Sequence, residues 1–272
     1  MSISGLQKIF LGPAGLGGYK EAAINLEKIY SLGLTAIEIA FTYNIYLNNK
    51  QSKEIGEIAK KFNIKLSIHC PYWINLASKE KIKIKQSQQR ILTSCERAHY
   101  LGASYVVFHP AFFGDYKKEE VYKITKDAIL EMREIIKKNK LNAQLAPETT
   151  GKYSALGNLD ELIKLAKETK CNLCVDFAHL QAREQGKLNY SEALDKIETL
   201  KLKHYHFHFS GIEWTLKGER KHINMNQSVP FLPLAKEILK RKINCTIISE
   251  SPITWQDSLK MKKVFEKLGH KF

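Results

Sequence analysis

Short apolar runs alternate with longer amphipathic segments along the whole chain. Eight of the short runs are rich in β-branched or aromatic residues, or are almost entirely apolar, as strands of a parallel sheet are. We predict strands at Ile9–Gly12, Ala36–Phe41, Lys65–His69, Tyr105–His109, Ala143–Glu148, Leu173–Phe177, His204–Phe209 and Cys245–Glu250. Helical patterns follow them at Tyr19–Ser31, Ser52–Lys61, Lys79–Leu101, Glu119–Asn139, Leu159–Thr169, Ser191–Leu200, Pro233–Arg241 and Trp255–Leu268.

Residues at the predicted helix ends support this alternation. Gly33 and Gly102 each stand between a helix and the next strand, where a left-handed cap favours glycine. Ser78 and Asn158 stand where the N-caps of the third and fifth helices are expected.

The number of these units predicts the fold. Eight strand–helix units of about 30 residues each close a barrel. We therefore predict an α/β protein with a single (β/α)₈ TIM-barrel domain over residues 1–272. A doubly wound open sheet is the alternative, but the glycine-rich stretch 12–18 lacks the Lys-Ser/Thr pair of a phosphate-binding loop.

Acidic and histidine residues stand at the carboxyl ends of six consecutive predicted strands. They are His69, His109, Glu148, Asp176 with His179 just beyond, His208 and Glu250. In a (β/α)₈ barrel these ends meet on one face. Carboxylates clustered there repel one another unless cations compensate them. Imidazole and carboxylate ligands together suit Zn²⁺, Mn²⁺ or Fe²⁺, so we predict a metal centre at the barrel mouth.

Three histidines alternate along the seventh predicted strand, so their side chains point to the same side. If that side is the barrel interior, His208 reaches the mouth. His206 then lies one layer deeper, as a supporting or packing residue.

The net charge of the chain bears on the kind of partner that it binds. Lys and Arg number 43 against 28 acidic residues, and the formal net charge of +15 favours a polyanionic partner, with nucleic acid first. The alternative is compositional drift, since many lysines lie on predicted outer helix faces.

The cysteine content and the hydropathy of the chain bear on the cellular compartment in which it is expected. The 5 cysteines are odd in number and scattered, which argues against a disulfide framework. Cys171 and Cys174 have CxxC spacing but lead into an apolar strand, so we predict buried structural thiols. No run approaches the ~20 apolar residues of a membrane span, and the N-terminus lacks a signal-peptide pattern. We expect a soluble cytoplasmic protein with no membrane partner.

Several motifs at the strand ends occur in the order of a known enzyme family. The most specific block is His69-Cys70-Pro71-Tyr72 with Ile74-Asn75-Leu76-Ala77-Ser78. The others are Val107-Phe108-His109-Pro110, Glu148-Thr149-Thr150-Gly151, Val175-Asp176-Phe177-Ala178-His179, His208 and Ser249-Glu250-Ser251-Pro252. Over nearly its whole length the chain resembles the endonuclease IV family of apurinic/apyrimidinic (AP) endonucleases, which are xylose-isomerase-like barrels.

The resemblance implies three divalent ions, with zinc expected and manganese as the alternative. The first would be held by His69, His109 and Glu148. Glu148 would bridge to a second, whose other ligands would be Asp176, His208 and Glu250. His179 and His222 would help to hold the third, for which the family uses an Asp-x-His pair. Here Arg220 stands at the Asp position, and Glu219 can replace that Asp only if the loop shifts.

The resemblance also implies a reaction. The family hydrolyses the phosphodiester 5′ to an abasic site in double-stranded DNA, as part of base excision repair, and a monomer is expected. Metal ions activate water and neutralise charge on the phosphate. Glu148 is the expected catalytic residue, because a bridging carboxylate can orient the nucleophile or accept its proton.

The DNA contacts that the resemblance implies lie on loops of the same face. Tyr72 matches the family residue that enters the DNA beside the abasic site. The family carries an Arg on the loop after the second strand, where this chain offers Tyr43, Tyr46 and Lys50. We expect Tyr46, Lys50 and Arg220 to contact DNA as well.

Two other functions are compatible with these residues. Sugar isomerases and epimerases of the same superfamily hold one metal with the last four strand ends, here Glu148, Asp176, His208 and Glu250. The additional His69, His109 and His179, together with the net charge, favour the nuclease. The third possibility is a non-catalytic relative that binds damaged DNA and keeps its metal for structure, which the Arg220 position favours.

Overall fold

Eight parallel strands and eight outer helices alternate along the computed structural model, which describes residues 7–272. The barrel strands, β1 to β8, are Ile9–Pro13, Ala36–Ala40, Lys65–His69, Tyr105–Phe108, Gln144–Pro147, Cys174–Asp176, Tyr205–Phe209 and Cys245–Ser249. The outer helices, α1 to α8, are Ala22–Ser31, Asn49–Lys61, Lys81–Leu101, Lys118–Lys138, Leu159–Thr169, Tyr190–Glu198, Leu232–Lys240 and Trp255–Lys267. Every predicted strand and helix is present, with ends that differ from the prediction by only a few residues.

The strands form two four-stranded arcs that close into a barrel. One arc has the order β1–β8–β7–β6 and the other β2–β3–β4–β5, with all neighbours parallel. Isolated parallel bridges join the arcs at the two seams, Ala14 with Glu38 and Glu148 with Cys174. The predicted (β/α)₈ barrel is therefore confirmed, in place of the open-sheet alternative.

Side chains on the strands alternate between the helix layer and the barrel interior. On β7, Phe209 packs against Phe231 with 4.8 Å between ring centroids. His206 and His208 alternate with it and lie inside the barrel, where both contact the fully buried Glu38 of β2. The apolar core lies mainly between strands and helices, and the interior beneath the mouth holds the buried polar residues Glu38, His206 and His208 beside a small apolar cluster.

Most helix ends follow the predicted chemistry. Asn158 caps α5 and forms a capping box with Glu161, and Gly102 ends α3 in the left-handed region with φ 68°. The prediction for Ser78 is wrong, because α3 begins at Lys81, and the Ser78 hydroxyl accepts a hydrogen bond from the backbone N–H of Glu80 just before the helix. No helix among the described residues is long and apolar enough to cross a membrane. All five cysteines are buried and free, as predicted for the CxxC pair.

Three additions lie on the mouth side of the barrel. The short helix Phe177–Arg183 follows β6 directly. Ala111–Phe112 after β4 pairs with Ala155–Leu156 after β5. An antiparallel hairpin after β7 pairs Gly211–Thr215 with Gly218–Ile223. These segments are too short or too polar for periodicity to predict them, yet they shape the rim of the site.

Helix α2 packs so closely on the end of α3 that residue 56 has no room for a side chain. A Cβ atom on Gly56 would lie 2.6 Å from the carbonyl oxygen of Leu101. We expect Gly56→Ala to destabilise the protein by about 1–3 kcal/mol, because overpacking outweighs the ~1 kcal/mol that alanine contributes in a helix. Urea unfolding measures this, with Lys53→Ala at an exposed position of α2 as the control. Unchanged or increased stability of Gly56→Ala would contradict this packing.

Candidate metal centre

Ligating side chains from the carboxyl ends of β3 to β8 meet at the mouth of the barrel. Three groups each bring their nitrogen and oxygen atoms within 4.8 Å of one another. The groups are His69, His109 and Glu148; Glu148, Asp176, His208 and Glu250; and Asp176, His179, His222 and Glu250. Because the groups share carboxylates, the structure brings all of the ligands named from the sequence into one continuous cluster.

Glu148 lies at the centre of this cluster and is fully buried. Its Oε2 atom is 2.9 Å from His109 Nε2 and 3.1 Å from His69 Nε2. Its Oε1 atom is 2.9 Å from His208 Nδ1. Burial raises the pKa of Glu148, but the charges of His208 and His109 overcome this and hold the pKa well below its usual value. The two oxygens thus face different ligand groups, as those of a bridging carboxylate do.

Neighbouring acceptors fix the orientation of several imidazoles at the mouth. Nδ1–H of His69 donates to the carbonyl oxygen of Cys70 at 2.8 Å. Nδ1–H of His179 donates to the carbonyl oxygen of Thr149 at 2.8 Å. In both rings Nε2 is left facing the cluster. Such hydrogen bonds set the tautomer and the direction of a metal-binding histidine.

Several buried atoms in the cluster lack the partners that burial demands. Asp176 Oδ1 accepts from the backbone N–H of His179, but Oδ2 has no hydrogen-bond partner among the described residues. Burial and the charges of Glu250 and Glu148 raise the pKa of Asp176. Nε2 of His179 and Nε2 of His222 face each other at 3.2 Å. Two ring nitrogens that face each other beside an unpartnered carboxylate oxygen fit divalent cations, which these atoms can bind once the rings are neutral.

The hairpin after β7 brings Glu219 to the cluster. Its Oε2 atom is 3.3 Å from His179 Nε2 and accepts from the backbone N–H of Gly151 at 2.7 Å. Arg220 is 70% exposed and lies 3.5 Å from Glu213 on the outer side. The loop shift that the sequence analysis requires for Glu219 is therefore present.

A β-bulge produces this exchange. Glu213 pairs with Lys221 and Trp214 with Glu219, so Arg220 is an extra residue in its strand. One extra residue in a strand places the side chains of the residues before it on the opposite face of the hairpin. Glu219 thereby shares a face with His222, three positions away. Gly151 leaves room for Glu219, since a Cβ atom there would lie 2.5 Å from its carboxylate.

Glu38 is a buried acid that the sequence analysis did not single out. It stands one layer below the mouth and is 2.9 Å from His206 and 3.0 Å from His208. Its signal in the sequence is a lone carboxylate within the otherwise apolar strand Ala36–Ala40. Cys174 lies near both histidines in the same layer.

Aromatic and basic side chains form the rim. Tyr72 is 59% exposed and lies edge-on to Tyr43, with 6.4 Å between ring centroids. Tyr46 is partly buried, and its hydroxyl donates to the carbonyl oxygen of Gly17 at 3.0 Å. Lys50 is exposed in the first turn of α2. Tyr43 thus lies beside Tyr72 at the edge of the site, and 37% of the Tyr46 surface stays exposed on the same loop.

An open cleft of about 370 Å³ leads from this rim to the cluster. Its walls include His109, His179, Glu219 and His222 from the cluster. His109, His179, Glu219 and His222 therefore face this cleft.

Protonation of the imidazoles generates a prediction about metal binding. Burial by itself lowers the pKa of His69 and of His179, but neighbouring carboxylates raise these pKa values to about 9 and about 10. Both rings are therefore doubly protonated at neutral pH, and a metal must displace the second proton of each ring. We expect zinc binding to release about two protons per chain from these rings, and zinc affinity to rise as the pH approaches 9. Calorimetry in two buffers of different ionisation enthalpy measures the release. Heats that do not depend on the buffer would contradict the prediction.

The bulged hairpin generates a second prediction. We expect Glu219→Gln to lose one tightly bound zinc ion per chain, because it removes the charged ligand beside His179 and His222. Glu213→Gln, on the outer side of the same hairpin, is the matched control and should keep all of its zinc. Elemental analysis after dialysis against a weak chelator measures the counts. Equal zinc content in the two variants would show that Glu219 is not a ligand.

Comparison with known proteins is consistent with this fold. A model of the xylose isomerase-like TIM barrel family matches residues 26–267. An uncharacterized protein of Methanocaldococcus jannaschii is 31% identical over 252 residues, which cover 89% of this chain and 91% of that protein. The probable endonuclease 4 of Mycoplasma genitalium is 25% identical over 78% of this chain and 76% of its own.

Solved structures of two functional classes share the fold. A D-tagatose 3-epimerase-like protein superposes with a TM-score of 0.75 at 20% identity, covering 96% of both chains. Endonuclease IV from Thermus thermophilus superposes with a TM-score of 0.72 at 19% identity, covering 96% of this chain and 98% of its own. The resemblance inferred from the strand-end motifs is confirmed by relatives named for endonuclease 4. The chain belongs to the xylose isomerase-like TIM barrel family.

Proposed function

We infer that this protein is a metal-dependent hydrolase of the endonuclease IV type, which cuts double-stranded DNA 5′ to abasic sites and acts as a monomer. The observation that carries this inference is the presence of three overlapping ligand groups rather than one. A single ion needs no more than Glu148, Asp176, His208 and Glu250. The histidines after β3 and β4 and those beside Glu219 provide ligands for further ions.

Bound divalent ions, with zinc expected and manganese as the alternative, would activate water and neutralise charge on the phosphodiester. The chain would contribute the rest. Glu148 is the expected catalytic residue, since its two oxygens face two different ligand groups. Either oxygen can orient the attacking water or take its proton. The open cleft admits a backbone phosphate to these groups without a lid.

The rim supports a DNA substrate. The exposed rings of Tyr72 and Tyr43 are suited to fill the gap left by a missing base, as apolar wedges do in kinked duplexes. Unpairing is least costly where no base is present. Lys50 and Arg220 are exposed on the same side and are expected to contact phosphates, which makes binding sensitive to salt.

Sugar isomerisation is the second candidate function. The four-residue group of Glu148, Asp176, His208 and Glu250 is the ligand set that such enzymes need for one ion. The likeness to a D-tagatose 3-epimerase-like protein is as close as the likeness to endonuclease IV, and at these identities it shows the fold alone. The additional ligand groups and the open, aromatic rim favour the nuclease.

The test is a duplex that contains one abasic analogue, incubated with zinc-loaded protein, with and without a chelator. We expect a single nick 5′ to the analogue that the chelator abolishes. Glu148→Gln should slow cutting at least about 100-fold, the order contributed by a positioned acid–base group, and should leave DNA binding largely unchanged. Glu213→Gln is the matched control and should cut normally.

Other outcomes of the same assay separate the alternatives. Metal-dependent conversion of a ketose with an uncut duplex would favour the sugar enzyme. Tight binding to the abasic analogue without cutting would favour a non-catalytic DNA-binding protein. Normal cutting by Glu148→Gln would refute its catalytic role.

A further inference from the structure

A second polar layer lies inside the barrel, beneath the cluster at the mouth. Its centre is Glu38, which β2 places among otherwise apolar neighbours and which is fully buried. The hydroxyl of Ser67 donates to Glu38 Oε2 at 2.7 Å, and Nε2–H of His206 donates to the same oxygen at 2.9 Å. Two donors on two other strands therefore hold this carboxylate in one orientation.

The other oxygen of Glu38 faces His208. Glu38 Oε1 is 3.0 Å from His208 Nε2, a close ion pair rather than a fully aligned hydrogen bond. Neither atom has a hydrogen-bond partner elsewhere among the described residues. Buried atoms of this kind cost free energy unless they are paired. The two atoms are therefore each other's available partners.

The opposite edge of the His208 ring faces the mouth. Its Nδ1 atom is 2.9 Å from Glu148 Oε1 and 3.4 Å from Glu250 Oε1. If Nε2 carries the proton directed at Glu38, Nδ1 has a free lone pair among the carboxylates of the second ligand group. The ring thus connects the two layers, one through each nitrogen.

We propose that Glu38 is a positioning residue that fixes His208 as an Nδ1 metal ligand. This proposal rests on the metal centre of the proposed function, but not on its DNA substrate. Carboxylates that accept the second N–H of a ligating imidazole fix its tautomer and increase its basicity. A backbone carbonyl oxygen does the first of these for His69 and for His179. Of these three rings, His208 is the one held by a charged group.

His206 has a supporting role in this arrangement. Its Nε2–H donates to Glu38, and its Nδ1 atom has no partner among the described residues. It lies two residues before His208 on β7, so its ring points to the same side of the strand. His206 therefore anchors the carboxylate that anchors the ligand. This accounts for the alternation of His206 and His208 along β7.

The decisive variant is Glu38→Gln, which keeps the shape of the side chain and removes its charge. We expect zinc affinity at the group containing His208 to fall about 10- to 100-fold, the usual effect of losing such a partner. The zinc affinity of the group that contains His69 and His109 should change less. Ser67→Ala, which frees Glu38 Oε2 of one donor, should have the same effect in smaller degree. Competition with a chromophoric chelator measures these affinities.

A control separates positioning from stability. Asp257→Asn removes another buried carboxylate, one that accepts from the backbone N–H of Met225. It should reduce the free energy of unfolding without selective loss of zinc. In ¹⁵N-histidine spectra of the zinc-loaded protein, His208 of the wild type should be the Nε2–H tautomer. This preference should be lost in Glu38→Gln but kept in Asp257→Asn.

The outcomes are distinct for the two proposals. Wild-type zinc affinity in Glu38→Gln, or equal weakening of every site in proportion to lost stability, would overturn the positioning role. Wild-type protein that binds no zinc would overturn it as well, along with the metal centre. Protein that binds zinc as expected but leaves abasic DNA intact would refute the proposed function only.

Discussion

The shared carboxylate of Glu148 is the constraint on which the mouth of the barrel depends. It is fully buried, so its charge must be balanced by its immediate neighbours. One oxygen faces His69 and His109, and the other faces His208. His208 in turn contacts Glu38 on β2 through its other nitrogen. The geometry of the cluster is thus a property of the whole barrel, and no single loop determines it.

The barrel allows one scaffold to serve different chemistry. Glu148, Asp176, His208 and Glu250 come from the last four strands and form a complete set for one ion. The histidines at the ends of β3 and β4, and the hairpin after β7, add further candidate ligands to that set. Because these additions lie on strand ends and insertions, they change the number of ions a site can hold without altering the fold.

The sequence predicted most of the barrel and the ligands at its strand ends, because both follow local rules. Strands and helices were visible in their periodicity, and the carboxyl ends of parallel strands must converge. Glu219 was harder to place, because its position depends on a bulge at Arg220 that no local pattern shows. Glu38 was missed because its partners are distant in sequence and meet it only when the barrel closes. The hydrogen bond from Tyr46 to Gly17 and the contact of Tyr43 with Tyr72 join distant parts of the sequence, so they were not predicted either.

Two of the buried carboxylates lie at the seams of the barrel. Where the two arcs meet, the ladder of backbone hydrogen bonds is reduced to isolated bridges, one at Glu38 and one at Glu148. His208 contacts both of these carboxylates from inside the barrel. The side chains of Glu38, His208 and Glu148 therefore form a line of contacts across the interior, from one seam to the other. A ligand that binds only the closed barrel stabilises it, so ions bound at the mouth would also stabilise the closure of the barrel wall.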